Sequence, residues 1–273
     1  MAELPSLSGV KIDIPSGVTL EEIWSCRPFK EWVNKLQSSL ELQAQPSQPF
    51  QSDPYTLRSI TVQSVDRWGG KLGFLKVMAS VTNSAGESLS GSALLRGPSV
   101  AMLVMLIPDD VELPSDERYV VLTVQPRTPA GSLGFVELPA GMVDDDGSFK
   151  SAAAREIDEE LGLVIKEDEL TNLSELAQAA AGEDAEQGEK LPPAMYPSAG
   201  GCDEYITIYS YEKRIPRSQL DEWNGKLTGL RSEGEKITLK LVPMKDLWKH
   251  GARDAKCLGA LALWENLRRE GKI

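Results

Sequence analysis

The sequence predicts an α+β sandwich with a small antiparallel β region ahead of it, and three observations carry that expectation. Strand-like and helix-like patterns intermix along the chain without a regular strand–helix–strand repeat, which argues against a doubly wound parallel sheet. Residues 57–98 hold β-rich segments, RSITVQSV, KLGFLKVMASVTN and ESLSGSALL, parted by Gly or Asn/Ser turns. Two unbroken apolar runs follow, SVAMLVMLI at 99–107 and YVVLTV at 119–124, and both read as buried strands.

In chain order, residues 1–56 read as a helical and linker segment. EEIWSCRPFKEWVNKLQSSLEL places Ile23, Phe29, Trp32, Val33 and Leu36 at roughly helical spacing, and the proline-rich QAQPSQPFQSDP marks a linker. Residues 57–98 form the small β domain, and 99–273 the main domain. Within the latter, the acidic PDDVELPSDE joins the two apolar runs. FVELPAG then leads into a helix from about 149 to 161. The acidic, Ala-rich SELAQAAAGEDAEQGEKLPPA reads as a helix plus a loop. Two further strands, DEYITIYSYE and KITLKLVP, precede C-terminal helices ending in LGALALWENLRRE.

Composition narrows the function classes. Lys plus Arg number 29 against 41 Asp plus Glu, a net charge of −12 over 273 residues. That field repels a phosphate backbone and argues against a dedicated nucleic-acid binder. No stretch approaches the ~20 apolar residues needed to cross a bilayer, so no membrane span is expected. The N-terminal residues lack a secretory or transit pattern, so a soluble chain or a mature form is expected. Cys26, Cys202 and Cys257 make no CxxC, which fits a reducing compartment. His250 is the single histidine, and it reads as a helix-end surface residue. Proton transfer is therefore expected to fall mainly to carboxylates.

The chemistry concentrates in ELPAGMVDDDGSFKSAAAREIDEELGL, residues 137–163. Ser148 is the expected N-cap and Gly162 the expected C-terminal stop of the helix. Glu156 and Glu160, four apart, share one face with Glu159 beside them, and Arg155 stands four residues before Glu159. Phe149, Ala153, Ile157 and Leu161 form an adjoining apolar stripe. Clustered carboxylates repel one another unless a cation sits among them, and hard oxygens of this kind suit Mg²⁺, with Mn²⁺ as the alternative. A lone acidic run is ordinarily a solvated face, but here the glycine turn, the arginine and the terminal glycine recur at fixed offsets.

The segment resembles the Nudix box: Gly, five residues, Glu, seven residues, then Arg-Glu-apolar-x-Glu-Glu-x-Gly-apolar. Gly141, Arg155, Glu156, Ile157, Glu159, Glu160, Gly162 and Leu163 fall at their family positions, while Gly147 stands where the first glutamate is expected. Beyond the box, RGPSVAMLVML, QPR, PSAGGCDE and SEGEKI are similar to the ADP-ribose/ADP-sugar pyrophosphatase subgroup, over roughly residues 57–273. The resemblance implies a Nudix α/β/α sandwich with a mixed sheet. It implies metal binding by Glu156 and Glu160, with Glu159 a further ligand or catalytic support and the Ala140 carbonyl completing the site. It also implies a homodimer joined through 57–98. Likeness to plant chloroplast members implies a plastid location, the cytosol otherwise.

Auxiliary residues carry paired readings. Arg127 is either a surface cation or a substrate-contacting arginine, and Glu137 either faces solvent or lies near the metal site. Glu233, with Glu235 second, matches a loop glutamate that acts as base in ADP-ribose pyrophosphatases; both are otherwise solvated. Gly200 and Gly201 either permit a turn or let the backbone approach substrate. Trp68 is either packing or an adenine platform. The expected activity is Mg-dependent cleavage of a nucleotide-sugar substrate, ADP-glucose or ADP-ribose, to AMP and a sugar phosphate. An NADH-preferring hydrolase and a non-catalytic nucleotide sensor are the alternatives.

Overall fold

A computed structural model of the protein describes residues 7, 9–46, 48–112, 116–143, 148–181, 188–189, 191–229 and 236–273. They divide into two compact units. The first takes the described residues up to Pro98 together with Ser198–Glu204, and the second takes most of the remainder. No helix among the described residues is long and apolar enough to cross a membrane.

In the first unit, β1 (Lys11–Asp13) precedes two helices, α1 (Leu20–Ser25) and α2 (Arg27–Leu42). Thr19 starts α1 with a capping box: its hydroxyl accepts from Glu22 N at 3.1 Å while the Glu22 carboxylate accepts from Thr19 N at 2.8 Å. Two long strands follow, β2 (Thr56–Trp68) and β3 (Lys71–Thr82), then β4 (Ser88–Leu89) and β5 (Ser92–Leu95), both paired to β3. Gly69 and Gly70, at φ 54° and 86°, make the two-residue turn between β2 and β3, as a hairpin of right-twisted strands requires. Strand β1 lies parallel to β2, and Ile23, Phe29 and Val33 from the helices share a core with Ile60, Val62, Leu75, Val77 and Leu95. The helical segment and the β segment thus belong to one sheet and one core. Gln43, within the sequence read as linker, is buried and brackets Tyr55, its amide donating to Tyr55 O at 3.0 Å and its carbonyl accepting from Tyr55 N at 2.7 Å.

The second unit is built on β6 (Ser99–Pro108), β7 (Tyr119–Arg127), β8 (Ser132–Glu137), β9 (Ala140–Met142), β10 (Thr171–Asn172), β11 (Ile206–Ile215), β12 (Leu227–Thr228) and β13 (Ile237–Pro243). The order β10-β11-β6-β7-β13-β12 is mixed: β6 and β11 run parallel, and the other pairs antiparallel. Every residue of β6 is buried. Its alternate residues explain the unbroken apolar run, because each face of the sheet carries a core. Val100, Met102, Val104 and Leu106 pack with Ala153, Ile157 and Leu161 of the 149–161 helix. Leu103 and Met105 pack with Leu247, Cys257, Ala260 and Trp264 from α6 (Leu247–His250) and α7 (Ala255–Arg269), numbered after α3 (Phe149–Glu156), α4 (Leu173–Ala181) and α5 (Leu220–Trp223). Helices on both faces of a mixed sheet give the α/β/α sandwich that the sequence predicts.

One departure from regular pairing positions the site. Strand β7 pairs with β6 only at Tyr119 and Val120, and farther along it pairs instead with β8 from Thr123 to Arg127. The other end of β6 pairs with β9. The two central strands therefore splay, and the connection Glu137–Leu138–Pro139–Ala140 fills the opening, held by Met102 N donating to Pro139 O at 2.9 Å.

Candidate active site

Ser148 begins α3 by accepting from Ser151 N at 3.0 Å. Ala152, Ala153, Ile157 and Leu161 are buried and dock the helix on the sheet. After Glu156 the helix widens: Ile157–Leu161 is a π turn, closed by Gly162 at φ 68°. Such wide turns collect at functional sites, since they place side chains that regular spacing would direct elsewhere. This one spans Glu159 and Glu160.

The carboxylates differ in surroundings. Glu160 is buried, accepting from Ala140 N at 3.2 Å and from Gln125 Nε2 at 3.3 Å. Burial, followed by repulsion from Glu156, pushes its carboxyl up to about 8, with the Gln125 hydrogen bond opposing. Glu156 is half-buried and lies against Gly141, where a Cβ would overlap its carboxyl group. Gly141 is thus needed for close approach of strand and helix. Arg155 reaches Glu156 at 3.7 Å and Glu159 at 3.8 Å, and donates to Met142 O at 3.5 Å. Ala140 meets Glu160 through its backbone N–H. Among the described residues no group of three or more His, Cys, Asp or Glu is arranged to hold a metal ion. The donor chemistry nevertheless fits a divalent cation: two neighbouring carboxylates, one of them buried, raise the energy of the ionised pair and leave a negative charge for a hard ion to offset.

Beside these lies a second charged group. Arg127 Nε donates to Glu137 Oε1 at 2.6 Å, and Lys256 Nζ donates to Glu137 Oε2 and to Asp254 Oδ1, each at 2.9 Å. Glu137 and Asp254 are buried, and Arg127 is half-exposed. Asp254 also caps α7 and accepts from Leu138 N at 2.9 Å. Burial alone would lower the Lys256 pKa, but Asp254 and Glu137 raise it above its usual value, so the ammonium is retained.

Of the residues singled out from sequence, Glu156, Glu159, Glu160, Ala140, Arg127 and Glu137 all belong to the second unit. Glu137 does not face solvent. Glu233 and Glu235 lie outside the described residues, as does Gly147. Trp68 belongs to the first unit, half exposed and edge-on to Phe74 at 4.4 Å. Gly200 and Gly201 also belong there; neither has positive φ and a Cβ at either meets nothing within 4 Å, so no fold requirement explains them. His250 ends α6 as an exposed residue. Sequence reasoning passed over Gln125, Lys256 and Asp254. Gln125 could have been found, being two residues from Arg127 on the same face of a strand.

Residues 104–261 match the NUDIX domain family. The chain is 35% identical over 247 residues to Nudix hydrolase 14, chloroplastic, of Arabidopsis thaliana, covering 90% of this chain and 72% of the plant protein. The chain belongs to the Nudix family. Among solved structures, one titled as an ADP compounds hydrolase superposes with a TM-score of 0.51 at 20% identity, covering 80% of this chain and 97% of that one, a likeness of fold. As a Nudix hydrolase this protein is an enzyme, a pyrophosphohydrolase, and the Nudix box is the α3 segment with its π turn.

Proposed function

We propose that this Nudix hydrolase cleaves the diphosphate of ADP-linked sugars, ADP-glucose or ADP-ribose, to AMP and a sugar phosphate. The observation that carries the reading is the pairing of buried Glu160 with Glu156, together with a half-exposed Arg127 held by Glu137, whose charge Glu160 feels. The ADP compounds in the structural neighbour's title accord with the nucleotide class.

Glu156 and Glu160 would hold Mg²⁺ or Mn²⁺, with Glu159 and the Ala140 carbonyl as further ligands. When bound, the cation supplies positive charge against the diphosphate, which otherwise repels a nucleophile. Arg127 donates to a phosphate oxygen through its terminal nitrogens while Glu137 fixes its angle. Water adds to one phosphorus as the bridging P–O bond breaks. Glu233, or Glu235 in its place, takes the water proton, and the leaving phosphate departs with the bridging oxygen. Gly200, Gly201 and Trp68 contribute to nucleotide binding, Trp68 from a second copy of the chain in a homodimer joined through 57–98. The plastid is the proposed location, on the strength of the plant relative.

Release of AMP or UMP from ADP-glucose, ADP-ribose, NADH and UDP-glucose, with magnesium and with a chelator, tests the reading. Magnesium-dependent AMP release from the ADP-sugars is expected; preference for UDP-glucose, or turnover untouched by the chelator, refutes it. Light scattering is expected to give twice the 29.8 kDa chain mass, and a monomeric mass removes the dimer.

A further inference from the structure

Lys256 is oddly placed for a helix-stabilising residue. It is the second residue of α7, at the positive end of the helix dipole, where a cation is unfavourable. It is also largely buried, its side chain 14% exposed. Neither helix stability nor solvation explains it. What it does have is two carboxylate partners at 2.9 Å, Glu137 and Asp254.

Glu137 is shared. One of its oxygens takes Lys256 Nζ and the other takes Arg127 Nε at 2.6 Å. Arg127 spends only Nε on this contact; among the described residues its two terminal nitrogens have no partner. A guanidinium held by Nε presents those nitrogens as a flat fork matched to two phosphate oxygens. Such a fork is useful only if Glu137 cannot swing. Asp254 fixes Lys256, Lys256 fixes one oxygen of Glu137, and Glu137 fixes Arg127. Charge points the same way. Arg127, Glu137, Lys256 and Asp254 sum to zero; without Lys256 the group carries −1 close to Glu160, whose carboxyl Glu137 already disfavours ionising. An anionic substrate would meet that extra charge.

We propose that Lys256 is a positioning residue for the diphosphate: through Glu137 it aims the free fork of Arg127 and keeps the phosphate-binding end of the site from turning net negative. The inference rests on the ADP-sugar reading above.

Steady-state kinetics on the full chain with ADP-ribose and magnesium test it, using Lys256→Met, Lys256→Gln, Lys256→Arg, Arg127→Ala and the double variant Arg127→Ala/Lys256→Met, with thermal midpoints alongside. Lys256→Met and Lys256→Gln should raise KM by roughly tenfold with kcat much less affected, as loss of a charge-assisted phosphate contact predicts. Lys256→Arg should restore KM in large part. Because Lys256 acts chiefly through Arg127, the double variant should fall well short of the product of the two single penalties, its excess over Arg127→Ala being only that of the added negative charge. An unchanged KM in a folded Lys256→Gln protein, or penalties that multiply in the double variant, overturns the inference and leaves the ADP-sugar reading standing. A wild-type protein that hydrolyses no ADP compound overturns both.

Discussion

On the proposed reading, Glu160 is a single side chain both costly to the fold and necessary to the chemistry. Its carboxylate is buried beside Glu156, so ionisation is opposed by lost hydration and by like charge. In metal-free protein, Glu160→Gln should therefore raise the thermal midpoint by about 3 °C or more, while cutting kcat at least a hundredfold in magnesium. The sign with pH follows from the raised value of about 8 against an ordinary 4.5. Between those values the folded wild type holds a proton that the unfolded chain has released, so wild-type stability falls as pH rises through that window and levels off above it. The gain from Glu160→Gln should widen from pH 5 to pH 8 in chelator, measured by scanning calorimetry. A variant less stable than wild type at pH 8 would show that the carboxylate is satisfied as it stands. The partnership of Glu156 and Glu160 was legible because four residues on a helix are neighbours. The link from Lys256 to Glu137 was not, since its partners are 119 residues apart and no local pattern joins them.

Helix α3, eight residues long, repeats the lesson together with the five-residue π turn that follows it. Its extent, its serine cap and its glycine stop were readable from capping chemistry and apolar spacing. Its π turn was not, because the chain's local preferences do not distinguish a wide turn from a regular one, and docking on the sheet decides between them. Gly162 closes that turn at φ 68°, a conformation that costs a side-chain-bearing residue about 1–2 kcal/mol. Gly162→Ala is expected to lose about that much stability in urea denaturation. A neutral result would mean that the turn relaxes to regular helix without cost.

Across the molecule, the β-rich 57–98 segment, the buried central strands and the sandwich were legible from turn-bounded β-rich segments, unbroken apolar runs and the intermixing of strands with helices. The splay between β6 and β7 was not, since no residue type announces where two strands stop pairing. Nor was the joining of residues 1–56 to 57–98 in one core, which depends on the parallel pairing of Lys11–Asp13 with Ser59–Thr61. Among the described residues, that core is drawn from the first unit alone. Gly91, where a Cβ would overlap the Ala79 carbonyl, tests its independence. Gly91→Ala should lower the unfolding transition of the first unit by several degrees and leave a second calorimetric transition in place; one transition moving as a whole would show that the units melt together.

The edge of β5 has a consequence for how the protein is made. Leu94 N donates to Gly201 O at 2.9 Å, and Arg96 N donates to Asp203 Oδ1 at 2.7 Å across 107 residues of chain. On a ribosome, the first hundred residues emerge well before the segment that finishes their sheet. The early part must wait with an open edge while most of the catalytic half is still being synthesised, and residues 1–98 expressed alone would keep that edge permanently, inviting another strand to take it.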